Sequence, residues 1–174
     1  VATARKPLPV PAKAIAAPVA ITPVVYDALE TPAPIADQVG HYLPYRPSRI
    51  AIADAVDHPT PLVESVAMGS ISAPIPTAVP QLPVGLIDMG VISAAQVETL
   101  IYAISAHARD LPGRFEPEDK GCSLKASAEG STYRSGYFLG DVLQAGIGRK
   151  VASVILDRWV RGKRRHIWIS KNAP

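Results

Sequence analysis

The chain has 174 residues, enough for about one domain, and 48% of them are hydrophobic, so a buried core can form. Its formal net charge of +3 is a mild excess that does not by itself indicate nucleic-acid binding. Cys122 is the single cysteine, which excludes an intrachain disulfide and a multi-cysteine zinc site and favours an intracellular compartment, either cytoplasmic or nucleoid-associated. No apolar run approaches the roughly 20 residues that span a bilayer, so we expect no membrane partner.

Proline divides the chain into two regimes. Of the 18 prolines, 15 precede Val84. Proline fixes its own φ and pushes the preceding residue toward extended geometry. We therefore predict a proline-rich disordered or extended tail at 1–40, which is either a linker or an arm lying along a partner protein. A proline-punctuated extended arm with a short helix follows at 41–83, and a compact region at 84–174.

The short helix in the arm is predicted from a start signal and a stop signal. Thr60 is typical of an N-cap and Pro61 of the first helical position, and the helix would continue to Met68 and end at Gly69. The arm also carries aromatic and basic side chains suited to stacking and pairing on a protein surface: Tyr42, Tyr45, Arg46 and Arg49.

The first strongly periodic element lies at 93–109. The segment from Ser93 to Gln96 has the pattern of a capping box, which predicts the start of a helix. Apolar residues then follow at spacings of three and four, which is one face of a helix. A polar stretch at 110–135 is predicted to be a surface loop. The apolar residues of this face are Val97, Leu100, Ile101 and Ile104.

The end of the chain has the pattern of a strand, a loop, a helix and a second strand. Apolar runs at 136–140 and 166–170 predict strands, and the periodicity between them predicts a helix at about 148–161. A βαβ unit of this length has parallel strands. The apolar face of the helix comprises Val151, Val154, Ile155 and Trp159, and both tryptophans, Trp159 and Trp168, are predicted to be in the core.

The loop before this helix is the candidate chemical site. A helix N-terminus that follows a glycine-bearing loop presents free N–H groups and a positive dipole end to anions. A standard phosphate-binding loop ends in Gly-Lys-Ser/Thr. Here Ile147 follows Gly146, and Gly148 stands at the hydroxyl position.

Several segments, in order, resemble the strawberry-notch family of helicase-like P-loop ATPases. They are LPVGLIDMGVISAAQVETLIYAISAHA, YRSGYFLGD and GIGRKVASVILDRWVRGKRRHIWISK, preceded by YLPYRPSRI and HPTPLVESVAM. The resemblance covers about 42–109 and 133–172. It implies an α/β fold, namely a partial P-loop NTPase unit of the RecA-like kind with parallel strands, preceded by the proline-rich extended arm. It also implies ATP and Mg²⁺ as cofactors and DNA or RNA as a partner.

The family loop reads Gly-Asp-Gly-Thr-Gly-x-Gly-Lys-Gly-Arg, and the resemblance assigns nucleotide-binding positions to this chain. Ile147 replaces the lysine whose cation neutralises the β- and γ-phosphates. This replacement and the others named below predict a degenerate Walker A loop that binds ATP at best weakly. ATP and Mg²⁺ are therefore expected as cofactors by resemblance only, and the alternative is that this chain binds neither. The matching positions are Gly140, Asp141, Gly146, Gly148 and Arg149, and the departing ones are Val142, Leu143, Gln144 and Ile147.

Two further features have open alternatives. By resemblance Gln96 reads adenine, whereas the capping box with Ser93 explains the same residue without any ligand. A basic cluster at the end of the last helix either complements the helix C-terminal dipole or contacts nucleic-acid phosphates. Its candidate nucleic-acid residues are Arg161, Lys163, Arg164 and Arg165.

The sequence therefore predicts a truncated, N-terminal helicase-like P-loop segment at 84–174 that acts on nucleic acid and is inactive alone. No catalytic residue is assigned, because no Walker B carboxylate pair follows the loop. No metal ligands are assigned either, because the four histidines are scattered. The alternative is a non-catalytic protein-binding or scaffold module with a decayed P-loop fold, whose proline-rich arm contacts a partner protein.

Overall fold

The computed structural model describes residues 19–30, 41–141 and 145–169. Over these residues the chain forms eight short strands and three α-helices, and each strand pairs antiparallel with one other: β1 with β6, β2 with β4, β3 with β5, and β7 with β8. The elements are β1 (Ile21–Pro23), β2 (Tyr26–Ala28), β3 (Tyr42–Pro44), β4 (Ile50–Ile52), β5 (Val63–Ser65), α1 (Val66–Gly69), β6 (Gln81–Pro83), α2 (Ala94–His107), β7 (Phe115–Glu118), β8 (Ser123–Ala126) and α3 (Ile147–Val160).

The core is built around α2, close to the helix predicted at 93–109. Gln96 closes its half of the capping box, because Oε1 accepts a hydrogen bond from the Ser93 N–H at 3.1 Å. The predicted apolar face is confirmed, since each of its four residues is at most 2% exposed. Burying each such side chain contributes roughly 1.5–3 kcal/mol. These residues are Val97, Leu100, Ile101 and Ile104.

The proline-rich front contributes to this core, which the sequence did not predict. Within the predicted tail, residues 19–30 form β1 and β2 and bury Val24 against the core cluster. Prolines fit here because each sheet has two strands, so every strand has an edge where a missing N–H costs no ladder bond. Residues 1–18 and 31–40 lie outside the described part of the chain.

The arm at 41–83 differs from the expectation of an extended segment in the same way. It forms β3 to β6 and adds Ile50 and Leu82 to the core. The short helix is α1 and not 61–68. Its N-cap is Ser65, whose Oγ accepts a hydrogen bond from the Met68 N–H at 3.2 Å. Residues 63–65 are held in β5 by pairing with β3, and this long-range pairing overrides the local start signal at Thr60.

The polar stretch at 110–135, predicted as a loop, contains the hairpin of β7 and β8. A 3-10 turn at Asp119–Gly121 joins the two strands, and Lys120 and Gly121 both have positive φ there. The ring of Phe115 packs edge-on against Tyr133 with centroids 6.4 Å apart. This stretch is therefore an ordered hairpin.

The parallel strands predicted around α3 are not confirmed. Helix α3 agrees with the predicted 148–161, but residues 136–140 and 166–169 form no strand, and residue 170 lies outside the described part. A strand needs a hydrogen-bonded neighbour, and all strand pairs among the described residues are antiparallel and lie elsewhere. The apolar side chains of these two segments remain at the surface: Phe138 is 91% exposed, and Ile167 and Ile169 are each 90% exposed.

Candidate phosphate-loop site

The N-terminus of α3 begins at a glycine that no other residue can replace without strain. Gly146 is the N-cap with φ of +75°, and its carbonyl accepts hydrogen bonds from the N–H groups of Arg149 and Lys150. A Cβ at this position would lie 2.2 Å from Nε2 of Gln96. Gly148 differs, because a Cβ there would meet nothing within 4 Å. Of these two glycines, Gly146 is the one that both its backbone conformation and the available space require to be glycine.

Gln96 joins α2 to this loop. It is buried, its Oε1 accepts from the Ser93 N–H, and its Nε2 donates to the carbonyl of Ala145 at 3.3 Å. The capping-box interpretation is therefore confirmed, and the same amide also touches the loop. Its role in reading adenine stays a prediction. His58 lies close by, with Nε2 4.0 Å from the Cβ position of Gly146. No sequence motif singled out His58.

Asp141 and Lys150 form an ion pair across the loop. The Lys150 side chain is 4% exposed and that of Asp141 is 27% exposed. Lys150 is therefore a buried ammonium whose charge is compensated by the carboxylate that precedes the loop. Lys150 is a cation close to the position of the missing loop lysine, and the structure pairs it with a carboxylate of the protein itself.

The other predicted nucleotide-binding residues, Arg149 and Gly140, take part in neither the Gln96 contact nor the ion pair of Lys150. Arg149 is exposed, and its Nη1 donates to the carbonyl of Val91 at 3.1 Å, so one of its donors is used within the protein. A Cβ on Gly140 would approach the ring of Phe138 to 3.0 Å. Val142, Leu143 and Gln144 lie outside the described residues.

The fully buried residues of α3 are polar, whereas Val154 of the predicted apolar face is half-buried and packs against the core. The buried residues are Lys150, Ser153 and Asp157, spaced by three and four. Asp157 is fully buried, and its carboxylate accepts from Gln81 N at 2.7 Å and from Arg161 Nε at 3.0 Å. Ser153 Oγ donates to the carbonyl of Arg149. The predicted face of Val151, Val154, Ile155 and Trp159 is half-buried or exposed.

The basic cluster after α3 separates into two kinds of residue. Arg161 is used structurally, because it pairs with Asp157 and its Nη2 donates to the carbonyl of Val79 at 2.5 Å. Lys163, Arg164 and Arg165 are exposed. The Arg164 guanidinium lies over the ring of Trp159, 4.4 Å from its centroid. The prediction that the tryptophans are in the core is wrong: Trp159 stacks with this cation at the surface, and Trp168 is also exposed.

Two features are absent from the described residues. No helix there combines the length and apolar character that a membrane crossing needs. Nor does that part of the chain gather three or more histidine, cysteine, aspartate or glutamate side chains in a metal-binding arrangement.

Comparison with known proteins gives a consistent result. Residues 57–174 match the family model described as P-loop containing NTP hydrolase pore-1. The protein strawberry notch homolog of Caenorhabditis elegans is 36% identical over 129 residues, 74% of this chain and 6% of that protein. Protein FORGETTER 1 of Arabidopsis thaliana is 31% identical over 129 residues, 74% and 8% of the respective chains. Human protein strawberry notch homolog 2 is 33% identical over 136 residues, 76% and 8%. The chain thus spans 6% to 8% of the length of these relatives, and no solved structure matches it significantly.

Proposed function

Since the chain belongs to the strawberry-notch-type family of P-loop NTPases, we propose that it is a helicase-like segment that contacts nucleic acid and binds ATP at best weakly. Family membership supports nucleotide and Mg²⁺ use by the family as a whole. The observation that carries the proposal for this chain is the ion pair between Lys150 and Asp141. Because Asp141 already compensates the charge of Lys150, this buried cation at the start of α3 is not available to bind a phosphate.

The residues at the loop do not fit ATP with Mg²⁺ in the family manner. Ile147 stands where the family loop has its lysine, and its side chain is half exposed at the start of α3. Gln144 stands where the family loop has a glycine, so the backbone there has less freedom to curl around a phosphate. The N-terminal dipole of α3 remains, and it contributes roughly 0.3–2 kcal/mol to anion binding, too little for specific nucleotide binding. The loop is therefore a degenerate Walker A loop that supports no hydrolytic step.

Titration calorimetry with ATP and Mg²⁺ tests the state of the loop. We expect the unmodified chain to bind in the millimolar range, and Ile147→Lys with Gln144→Gly to bind on the order of tenfold more tightly, because a cation and a freely curling backbone are restored. Ala152→Lys is the matched control, because it adds one lysine to an exposed position of α3. Micromolar binding by the unmodified chain would overturn the proposal that the loop is degenerate.

Nucleic-acid contact is proposed for Lys163, Arg164 and Arg165, without Arg161. Each phosphate contact releases counterions, so the logarithm of the affinity falls with the logarithm of the salt concentration. The binding of a fluorescent single-stranded oligonucleotide is measured across a salt series, and the logarithm of its affinity is plotted against the logarithm of the salt concentration. The magnitude of this slope should decrease by about 2 when the three residues are replaced by alanine. The control with equal charge loss replaces three exposed residues outside the cluster: Lys120, Lys125 and Arg134. Equal loss in both triple variants would refute a specific surface.

A second candidate, a non-catalytic protein-binding module, is favoured by the apolar side chains on either side of α3. Phe138, Ile167 and Ile169 are almost fully exposed, and large apolar side chains left at the surface are the kind that a protein partner covers. The same salt series separates the candidates. A scaffold predicts no salt-dependent binding of the oligonucleotide, whereas a nucleic-acid segment predicts a measurable slope.

A further inference from the structure

A cavity of about 880 Å³ opens on the face of α2 that carries Glu98 and Tyr102. Its other walls come from the chain around Tyr45, from residues 68–77 and from Tyr137. The volume lies within the range of small-molecule sites. Among the described residues that line it there is none from the N-terminus of α3, so the cavity is distinct from the loop that α3 follows.

The inner end of the cavity holds polar groups that are incompletely satisfied. Glu98 is only 5% exposed, and the hydroxyl of Tyr45 donates a hydrogen bond to its Oε2. The hydroxyl of Tyr102 is buried and has no hydrogen-bond partner in the part of the chain that the structure describes. Buried polar groups without partners are costly, and in a cavity of ligand size they point to a bound group that pairs with them.

The electrostatics of the inner wall agree with this. Burial, chiefly, raises the pKa of Glu98 to about 7, and the nearby Glu64 and Asp141 carboxylates raise it further, while Tyr45 and Lys150 oppose the rise. A ligand that offers N–H donors would favour the ionised carboxylate. Burial, and then the charge of Glu98, raises the pKa of Tyr102 to about 12. The phenol of Tyr102 therefore keeps its proton and is a hydrogen-bond donor.

The mouth of the cavity carries the opposite charge. Arg46 and Arg109 both line it and are both exposed. The cavity is therefore lined by a buried carboxylate and phenols together with two exposed guanidinium groups. Arginine forks bind phosphate, and tyrosine rings and apolar side chains stack on flat bases.

We propose that this cavity binds a guanine nucleotide, either free or within a single strand. Guanine presents two neighbouring N–H groups and a carbonyl oxygen along one edge. The carboxylate of Glu98 accepts from the N–H groups, and the hydroxyl of Tyr102 donates to the carbonyl oxygen. The phosphate contacts Arg46 and Arg109. Adenine, cytosine and uracil each place an acceptor where guanine places a donor, and a carboxylate disfavours that acceptor.

This inference does not rest on the proposed function of the loop. Gln96 contacts the loop, whereas Glu98 and Tyr102 line the cavity, and the ion pair of Asp141 and Lys150 reaches Glu98 only through its charge. Either site can fail its test while the other passes.

The first experiment titrates the full chain with the four nucleoside monophosphates and follows binding by calorimetry. We expect GMP to bind on the order of tenfold more tightly than AMP, CMP or UMP, the discrimination typical of a well-paired base edge. Inosine monophosphate lacks the exocyclic amine and should fall between GMP and AMP. Equal affinity for all four nucleotides overturns the proposal.

The second experiment removes the two pairing groups. Glu98→Gln should abolish the preference for GMP, whereas Glu129→Gln, a change at an exposed carboxylate of the hairpin region, should not. Tyr102→Phe keeps the ring and should weaken GMP binding several-fold. If circular dichroism shows that Glu98→Gln does not fold, Tyr102→Phe decides. Unchanged GMP binding by a folded Glu98→Gln variant, or by Tyr102→Phe in its place, overturns the proposal.

The third experiment distinguishes the two sources of the base. A thymidine pentamer with one central guanine is compared with GMP and with an all-thymidine pentamer. A strand ligand predicts that the guanine pentamer binds at least about tenfold more tightly than GMP and that Arg46→Ala removes this gain. A free nucleotide predicts no gain. Replacement of Lys120, Lys125 and Arg134 by alanine removes three exposed charges outside the cavity and leaves GMP affinity unchanged, and a loss there would show that overall charge holds GMP and overturn the proposal.

Discussion

Helices α2 and α3 are both 14 residues long and pack against each other, but the fully buried residues of α2 are mainly apolar, whereas those of α3 are polar. The inward stripe of α2 includes the apolar Leu100, whereas that of α3 is Lys150, Ser153 and Asp157. An apolar stripe is stabilised wherever it is buried away from water, because this effect needs no specific partner. A polar stripe is stable only where each group meets a specific partner, here Asp141, the Arg149 carbonyl and Gln81 with Arg161.

The largest expected effect comes from the apolar side of this comparison. Leu100→Ala should lower the free energy of unfolding by about 4 kcal/mol, because it removes buried methyl groups and leaves a cavity in a fully packed site. Urea denaturation followed by circular dichroism measures the change. Met89→Ala is the control at an exposed position and should change stability by less than about 0.5 kcal/mol. A loss below about 1 kcal/mol for Leu100→Ala would contradict a tightly packed face on α2.

The polar side of the comparison predicts an asymmetry within one ion pair. Asp141→Asn leaves the ammonium of Lys150 buried and unpaired, so it should cost about 3 kcal/mol. Lys150→Met replaces the ammonium by an apolar side chain of similar length, and the partly exposed Asp141 can be solvated, so the cost should stay below about 1 kcal/mol. Adding Lys150→Met to Asp141→Asn should restore most of the lost stability. Equal losses in the two single variants would show that the pair is not buried as described.

Glu98 sharpens the comparison, because it is the buried acid of the otherwise mainly apolar α2. Its pKa is raised from 4.5 to about 7, chiefly by burial. The folded protein therefore holds more protons than the unfolded chain in this window, and the free energy of unfolding falls as pH rises from 4.5 to 7. The fall contributed by Glu98 is at most about 3 kcal/mol. Thermal melts between pH 4.5 and 7 measure this change, and stability should fall less steeply with pH in Glu98→Gln than in the unmodified chain. If stability falls equally with pH in both proteins, the pKa of Glu98 is not raised as described.

The smallest effects compare two glycines at the junction of the two helices. Gly146→Ala should cost about 1–2 kcal/mol, because φ is positive and the new Cβ would displace the Gln96 amide. Gly148→Ala should be neutral or stabilise by about 0.5 kcal/mol, since it lies inside α3 with open space around it. Chemical denaturation of both variants side by side measures the difference. A Gly146→Ala variant as stable as Gly148→Ala would show that Gln96 does not press on the loop.

The two helices also mark how far sequence patterns reach in this chain. The bounds of α2 and α3 were predicted to within two residues, because capping and periodicity act over a few neighbours. The strands of the front were missed, since β1 pairs with β6 across about 60 residues and only three residues on each side take part. The strands at 136–140 and 166–170 were predicted from apolar runs, but an apolar run supplies no hydrogen-bonded neighbour, and the described residues of both segments form no strand.

The candidate loop shows the same division. Its family, its glycines and the absence of the loop lysine at Ile147 follow from the order of residues alone, because a motif is a one-dimensional pattern. The pairing of Lys150 with Asp141, the contact of Gln96 with Ala145 and the cavity beside Glu98 depend on packing between segments that are far apart or separated by the loop. Charge compensation and buried hydrogen bonds are properties of three-dimensional neighbours, so only the tertiary structure decides which polar residues hold the fold and which remain available to a ligand.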